Sequence, residues 1–325
     1  MSKSKSILFS WEFDGNGGGK PLSGDDISKE LKADTLSWVH MNATHEDTRK
    51  WIKKEVDYLD DLILDALLAD ETHPRILELD EGALLILRGV NLNEGADPED
   101  MVSVRLWIDE KRIISLERRN VKAVDDIEEK LIQGKGPKTC GDFLVQLSAS
   151  LLKRMEPVLS ALDEATDIIE EKIMEEPDLS ERQIIVNIRK QAIILKRYMS
   201  PQRDIMQHLR TADITWLDAM HKRHLQESYD KILRYVEDLD AIRERAQIVK
   251  DELTNTLSDR LNKNLYILSV IAAIFLPLGF LTGLLGVNIG GIPGGDNPTA
   301  FWLFTAGLAL LVTLQIVLFK KLKWF

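Results

Sequence analysis

A single cysteine, Cys140, stands in the 325 residues. A disulfide framework is thereby excluded, and so is a thiolate metal site within one chain. Histidine is sparse as well, and the six (His40, His45, His73, His208, His221, His224) are scattered. His221 and His224 are three apart on a helical pattern, a spacing able to share a metal, but a solvated helix face is the preferred reading. Neither His-Glu-x-x-His nor Gly-x-Ser-x-Gly occurs, and no catalytic constellation takes their place, so no enzyme is expected. The N-terminus lacks a basic-then-apolar leader, so nothing there suggests secretion or cleavage. Bases are outnumbered, 42 to 53 acids, for a net charge of −11. That balance argues against a nucleic-acid partner, whose phosphates need a basic face. It suits a vestibule that concentrates cations, and equally an ordinary acidic soluble domain.

The most informative absence is local. No charged residue occurs from Asn264 to Gly295, and none from Asn297 to Phe319. A bilayer core takes about 20 apolar residues as helix, so each run is long enough to span once. All acids but Asp296, and all bases but Lys320, Lys321 and Lys323, precede residue 264.

Ahead of these runs the chain reads as mixed α and β, then as helix. Ser6–Phe13, Thr35–Met41, Arg75–Leu79, Ala83–Asn91, Met101–Ile108 and Arg112–Arg118 have strand character, with Asp109-Glu-Lys111 turning between the last two. Asp47–Ala69 reads as one helix. Asp14-Gly-Asn-Gly-Gly-Gly-Lys20 is a turn rather than a phosphate loop, because Pro21 follows the lysine and no helix begins there. The acid pairs Asp60-Asp61 and Asp125-Asp126 fall at helical spacing and read as exposed faces. Thr139 can cap a helix from Cys140 to Glu175, ended by Pro177, and Leu179–Leu209 forms another. Between Pro201 and Pro277 there is neither glycine nor proline. Asp218–Leu276 can therefore be one helix, roughly 90 Å long at about 1.5 Å per residue.

Steps of alternating four and three from Asp251 keep to one narrow face of that helix. They meet Asp251, Asn255, Ser258, Asn262, Leu265, Ser269, Ala272, Leu276, Gly279, Gly283 and Gly286. A small, polar stripe wastes burial against lipid. Facing copies of itself around an axis, it can line a water-bearing path with Leu265 and Leu276 as hydrophobic constrictions. Gly279 and Gly283 also form a small-xxx-small pair, which packs helices closely without a pore. The polar run Asp251–Asn262 favours the path, since it continues the face beyond the apolar run. No carboxylate lies in either span, so a cation has to pass at least partly hydrated.

The first run ends Phe275-Leu-Pro-Leu-Gly-Phe-Leu-Thr-Gly-Leu-Leu-Gly-Val-Asn288, followed by Ile-Gly-Gly-Ile-Pro-Gly294. This resembles the CorA family of metal ion transporters and, within it, the ZntB-like zinc branch, where Gly286-Val287-Asn288 stands for the Gly-Met-Asn signature. Two terminal spans, a lysine-rich tail and the α/β-then-long-helix layout extend the resemblance over the whole chain. It implies an α+β cytoplasmic domain, a very long helix and two C-terminal transmembrane helices, assembled as a funnel-shaped homopentamer. The expected segments are 1–138 (α/β domain), 139–263 (helical region with the stalk helix), 264–288 (pore-lining first span), 289–299 (external loop), 300–319 (second span) and 320–325 (basic tail).

The resemblance further implies a selectivity filter of Gly286, Val287 and Asn288, with a ring of Asn288 amides holding a hydrated ion and Asp251 forming an inner acidic ring. Magnesium-transporting relatives carry acid in a Met-Pro-Glu-Leu-like loop. Here Ile292-Pro293-Gly294-Gly295 leaves only Asp296, which favours Zn2+, with Cd2+ or Ni2+ as companions, over Mg2+ or Co2+. No cofactor is expected beyond the transported metal. The implied setting is the inner (cytoplasmic) membrane of a bacterium with both termini inside, since Arg260, Lys263 and the tail lysines flank the spans and the loop has no base. A Mg2+/Co2+ channel and a membrane-tethered, non-transporting helical scaffold are the alternatives.

Overall fold

The computed structural model describes residues 5–56, 59–70, 72–79, 82–175, 177–286, 294 and 297–321. The chain divides into two compact units, Met1–Asp251 and Glu252–Phe325.

The first unit is built on seven strands: β1 (Ile7–Phe13), β2 (Gly19–Pro21), β3 (Ser37–Asn42), β4 (Arg75–Leu79), β5 (Gly82–Gly89), β6 (Val102–Ile108) and β7 (Arg112–Glu117). Their order is β2-β1-β3-β7-β6-β5-β4. Every pair is antiparallel except β3 with β7, which run parallel. Every residue of β6 is buried, the mark of a strand covered on both faces. On one face Val39, Met41, Ile114 and Leu116 pack with Ile52, Ile63, Leu64 and Leu67, from helices α2 (Glu46–Glu55) and α3 (Asp61–Leu68). On the other, Trp38 meets Phe143 edge-on at 4.9 Å.

The expected single helix Asp47–Ala69 is therefore two. Val56 leaves the helical region at φ −126° and ψ 63°. Asp60 then caps a new helix by accepting from the Leu62 N–H at 3.0 Å. The expected turn after Asp14 forms: Asp14 Oδ1 accepts from the Asn16 and Gly18 N–H groups at 2.7 and 3.0 Å. It leads into β2, and a short helix α1 (Asp25–Leu31) follows; neither was expected from the sequence.

Helices complete the unit: α4 (Lys122–Ile132), α5 (Cys140–Glu175), α6 (Arg182–Thr211) and the first half of α7 (Ala219–Leu285). Thr139 caps α5 through its Oγ1, 3.0 Å from the Asp142 N–H. Leu225, Ile232, Val236, Leu239, Ile242, Ala246 and Val249 of α7 are buried, at the three-and-four spacing of one apolar seam. Tyr235 donates to the Leu152 carbonyl of α5 at 3.3 Å, and Lys196 of α6 reaches Asp240 at 2.6 Å. Asp126, expected on an exposed face, is instead half-buried and bound by Arg154 of α5.

The second unit holds the rest of α7 and α8 (Ala300–Lys321). Both helices include stretches long and apolar enough to cross a membrane. α7 runs unbroken to Leu285, through Pro277.

Candidate functional site

The side chains of α7 beyond residue 251 sort into two faces. Val270 is buried, and Ala273, Ile274, Pro277, Leu278 and Leu281 are half-buried. α8 lies on this face, since Gln315 Nε2 donates to the Ala273 carbonyl at 3.2 Å. Asn255, Ser258, Asn262, Leu265, Ser269, Ala272, Leu276, Gly279, Gly283 and Gly286 lie on the other, and all ten are exposed. At 100° per residue their mean direction lies roughly 140° round the helix from the α8 face. Asp251, the last residue of the first unit, is exposed as well.

The hydroxyls on this stripe have a consistent polarity. Ser258 Oγ donates to the Thr254 carbonyl at 2.9 Å, and Ser269 Oγ to the Leu265 carbonyl at 2.8 Å. Each donor is spent on its own helix, so the oxygen presents lone pairs outward. That is the polarity a hydrated cation meets favourably, since its waters point their hydrogens away from the metal. Asp251, in the first unit, carries a carboxylate whose two oxygens accept from Gln247 Nε2 at 2.8 and 2.9 Å. Leu265 and Leu276 interrupt the polar surface, exposed by 52% and 73%.

At the far end α7 gives way to Gly286, whose N–H still reaches the Thr282 carbonyl at 2.8 Å. A Cβ there falls 2.8 Å from the same oxygen, so only glycine fits without displacement. Gly279 and Gly283 are different: a Cβ on either meets nothing within 4 Å. Val287 and Asn288 lie outside the described residues, as do Asp296 and Lys323.

The histidine pair resolves differently from the sequence reading. His221 is not solvated but buried, with Nδ1 3.0 Å from Asp218 Oδ1 and Nε2 3.2 Å from Asp142 Oδ1. It packs against Gly141, where a Cβ sits 2.5 Å from the ring. His221 therefore joins the first turns of α5 and α7, and His224 is the exposed member, 3.6 Å from Glu227. Among the described residues, no group of three or more His, Cys, Asp or Glu is placed to hold a metal ion. One residue of the site escaped sequence reasoning. Gln315 is a lone amide inside an apolar span, and a polar side chain in such a place signals a specific partner.

An α+β unit followed by a long helix and a second apolar helix, with a polar stripe turned away from that second helix, is the build of a two-span membrane protein. The model of CorA-like Mg2+ transporter proteins matches residues 33–321, and the chain belongs to that family, the CorA family. Among its relatives, the divalent cation transporter CmaX of Pseudomonas aeruginosa is 34% identical over 98% of this chain and 97% of its own length. The zinc transport protein ZntB of Pectobacterium carotovorum subsp. carotovorum is 36% identical over 98% of this chain and 95% of its own. The solved structure of full-length CmaX superposes with a TM-score of 0.85 at 34% identity, covering 100% of both chains.

Proposed function

We propose that this chain transports divalent metal cations across the inner membrane of a bacterium, with Zn2+ as its principal substrate. In this reading five copies surround one path, α7 of each lines it, α8 stands outside, and both termini are cytoplasmic. The observation that carries the reading is the stripe from Asn255 to Gly286, small and polar on the side of α7 away from α8. One helix offers one such stripe and cannot enclose water by itself, so the path needs several copies. The number five comes from the family resemblance.

Zinc is favoured by the likeness to ZntB and by a loop whose only acid is Asp296. Magnesium is the second reading, favoured by the family model's own description. Purified protein in liposomes separates the readings. Zn2+ uptake exceeding Mg2+ uptake is the expected result; preference for Mg2+ or Co2+ moves the assignment, and absence of any metal flux leaves a scaffold. Orientation is read by labelling a cysteine placed at exposed Pro298. Cys140 supplies a silent background, since it is buried and burial pushes its thiol above the ordinary pKa. Label entering only from the cytoplasmic side reverses the assigned topology.

A further inference from the structure

Pro277 lies inside α7 and has no N–H. The carbonyl four residues earlier, that of Ala273, therefore lacks the donor a regular helix would give it. In a hydrocarbon environment no water replaces that donor, and the vacancy has to be filled by another part of the protein. Gln315 fills it: its Nε2 lies 3.2 Å from the Ala273 oxygen. A carbonyl only accepts, so the nitrogen of the amide must be the atom facing it. The other atom of the amide, Oε1, is buried with no hydrogen-bond partner among the described residues. The side chain is thus held in the span for this single bond.

We infer that Gln315 is a positioning residue for the transport path: it replaces the hydrogen bond that Pro277 removes from α7, and so clasps the second span to the proline break of the first. The location gives the clasp its consequence. Leu276, a constriction of the stripe, immediately precedes Pro277, and the glycines Gly279, Gly283 and Gly286 follow it. The helix continues through Pro277, but the break in its hydrogen-bond ladder is a point at which it can bend. Fixing the break from α8 sets the direction of the segment that carries the outer stripe and leads to Asn288. The inference rests on the proposed transport function for its effect on flux, though not for the clasp itself.

The test is a cycle of four full-length proteins: wild type, Gln315→Leu, Pro277→Ala and the double variant. Alanine at 277 restores the N–H and favours helix, so α7 can then satisfy Ala273 unaided. Two quantities are read, the thermal midpoint of the detergent-solubilised complex and the initial Zn2+ uptake rate in liposomes. Gln315→Leu is expected to lower the midpoint by a few degrees and the uptake rate about threefold, the scale of an average interhelical hydrogen bond in a membrane protein. In the Pro277→Ala background it is expected to cause no further loss in either. Equal loss in both backgrounds makes Gln315 a packing residue and overturns the inference, as does no loss in the wild-type background. Gln315→Met, unbranched and close to glutamine in length, repeats the cycle if the leucine variant fails to assemble. Thermal midpoints do not depend on transport. A wild type without flux counts against the proposed function, and the midpoint cycle still decides the clasp.

Discussion

Arg245 of α7 grips Glu170 of α5 through two nitrogens on one oxygen, Nε at 3.1 Å and Nη2 at 2.6 Å from Oε2. The same guanidinium reaches Asp167 at 2.5 Å and Asp163 at 3.2 Å. One cation therefore serves three carboxylates on successive turns of α5. Hydrogen bonds to Asp167 and Glu170 raise its pKa further above the ordinary arginine value.

A third of the Arg245 side chain is exposed, so solvent screens the network. Arg245→Met keeps an apolar stem and removes the charge. We expect a loss of about 1 kcal/mol or less at low ionic strength, read as a lowered thermal midpoint. Near 1 M salt the Debye length falls to about 3 Å, and the deficit should shrink. A deficit indifferent to salt assigns the contribution to packing.

Asp126 gives a pH signature. Arg154 binds its two oxygens at 2.7 and 2.5 Å, and Ser150 also donates to it. Its carboxyl pKa is held below the ordinary value, by the Arg154 hydrogen bond first and against the opposing effect of burial. A depressed folded-state pKa stabilises the fold above the unfolded value of about 3.9, and that stability is lost as pH falls through the folded value. Asp126→Asn should therefore be less stable than wild type at pH 7. The difference should disappear as acid protonates the wild-type aspartate. A gap that persists unchanged however far the pH is lowered assigns the effect to geometry rather than charge.

The legibility of the sequence followed the physics of each element. Strand and helix patterns sit in neighbouring residues, so α5 could be read to its ends from Thr139, Cys140 and Pro177. The break at Val56 could not, because the Ile52 and Ile63 periodicities are nearly in phase across it. The stripe was legible because small and polar residues are conspicuous on an apolar helix. Burial of His221 was hidden, since it depends on Asp142 and Gly141, some 80 residues earlier in the chain. Gln315 was hidden for a related reason: its meaning comes from Pro277 on another helix.

The glycines of the stripe discriminate between lipid and neighbouring copies. Within one chain a Cβ at Gly279 or Gly283 meets nothing within 4 Å, and alanine is the better helix former by roughly 1 kcal/mol. A single chain thus offers no reason for Gly279→Leu to be harmful. We expect that substitution to dissociate the complex or abolish metal uptake, because in the proposed assembly the side chain would intrude where copies meet. Mass measurement of the solubilised complex checks this. Wild-type assembly and flux in Gly279→Leu would turn the stripe towards lipid and sink the pore reading.

Asn288 and Asp251 are expected to fail in different ways. Asn288 closes the proposed filter two residues after Gly286, and its amide oxygen suits the waters of a hydrated dication. Asn288→Ala should remove most Zn2+ uptake while the complex still assembles. Asp251 is expected to act through charge; it is exposed, and both its oxygens accept from Gln247 at 2.8 and 2.9 Å. Asp251→Asn keeps the shape, so it should lower flux moderately, with a deficit that salt reduces by screening the wild-type advantage. Asn288→Asp separates an ion ring from a turn residue. Aspartate substitutes readily for asparagine in a side-chain-closed turn, leaving uptake and selectivity unchanged. In the proposed ion ring, the added carboxylates would instead bind the cation directly and alter the order of preference among Zn2+, Cd2+, Ni2+ and Mg2+. Uptake and selectivity of wild type in both Asn288→Ala and Asn288→Asp would leave the filter without support, whatever Asp251→Asn does.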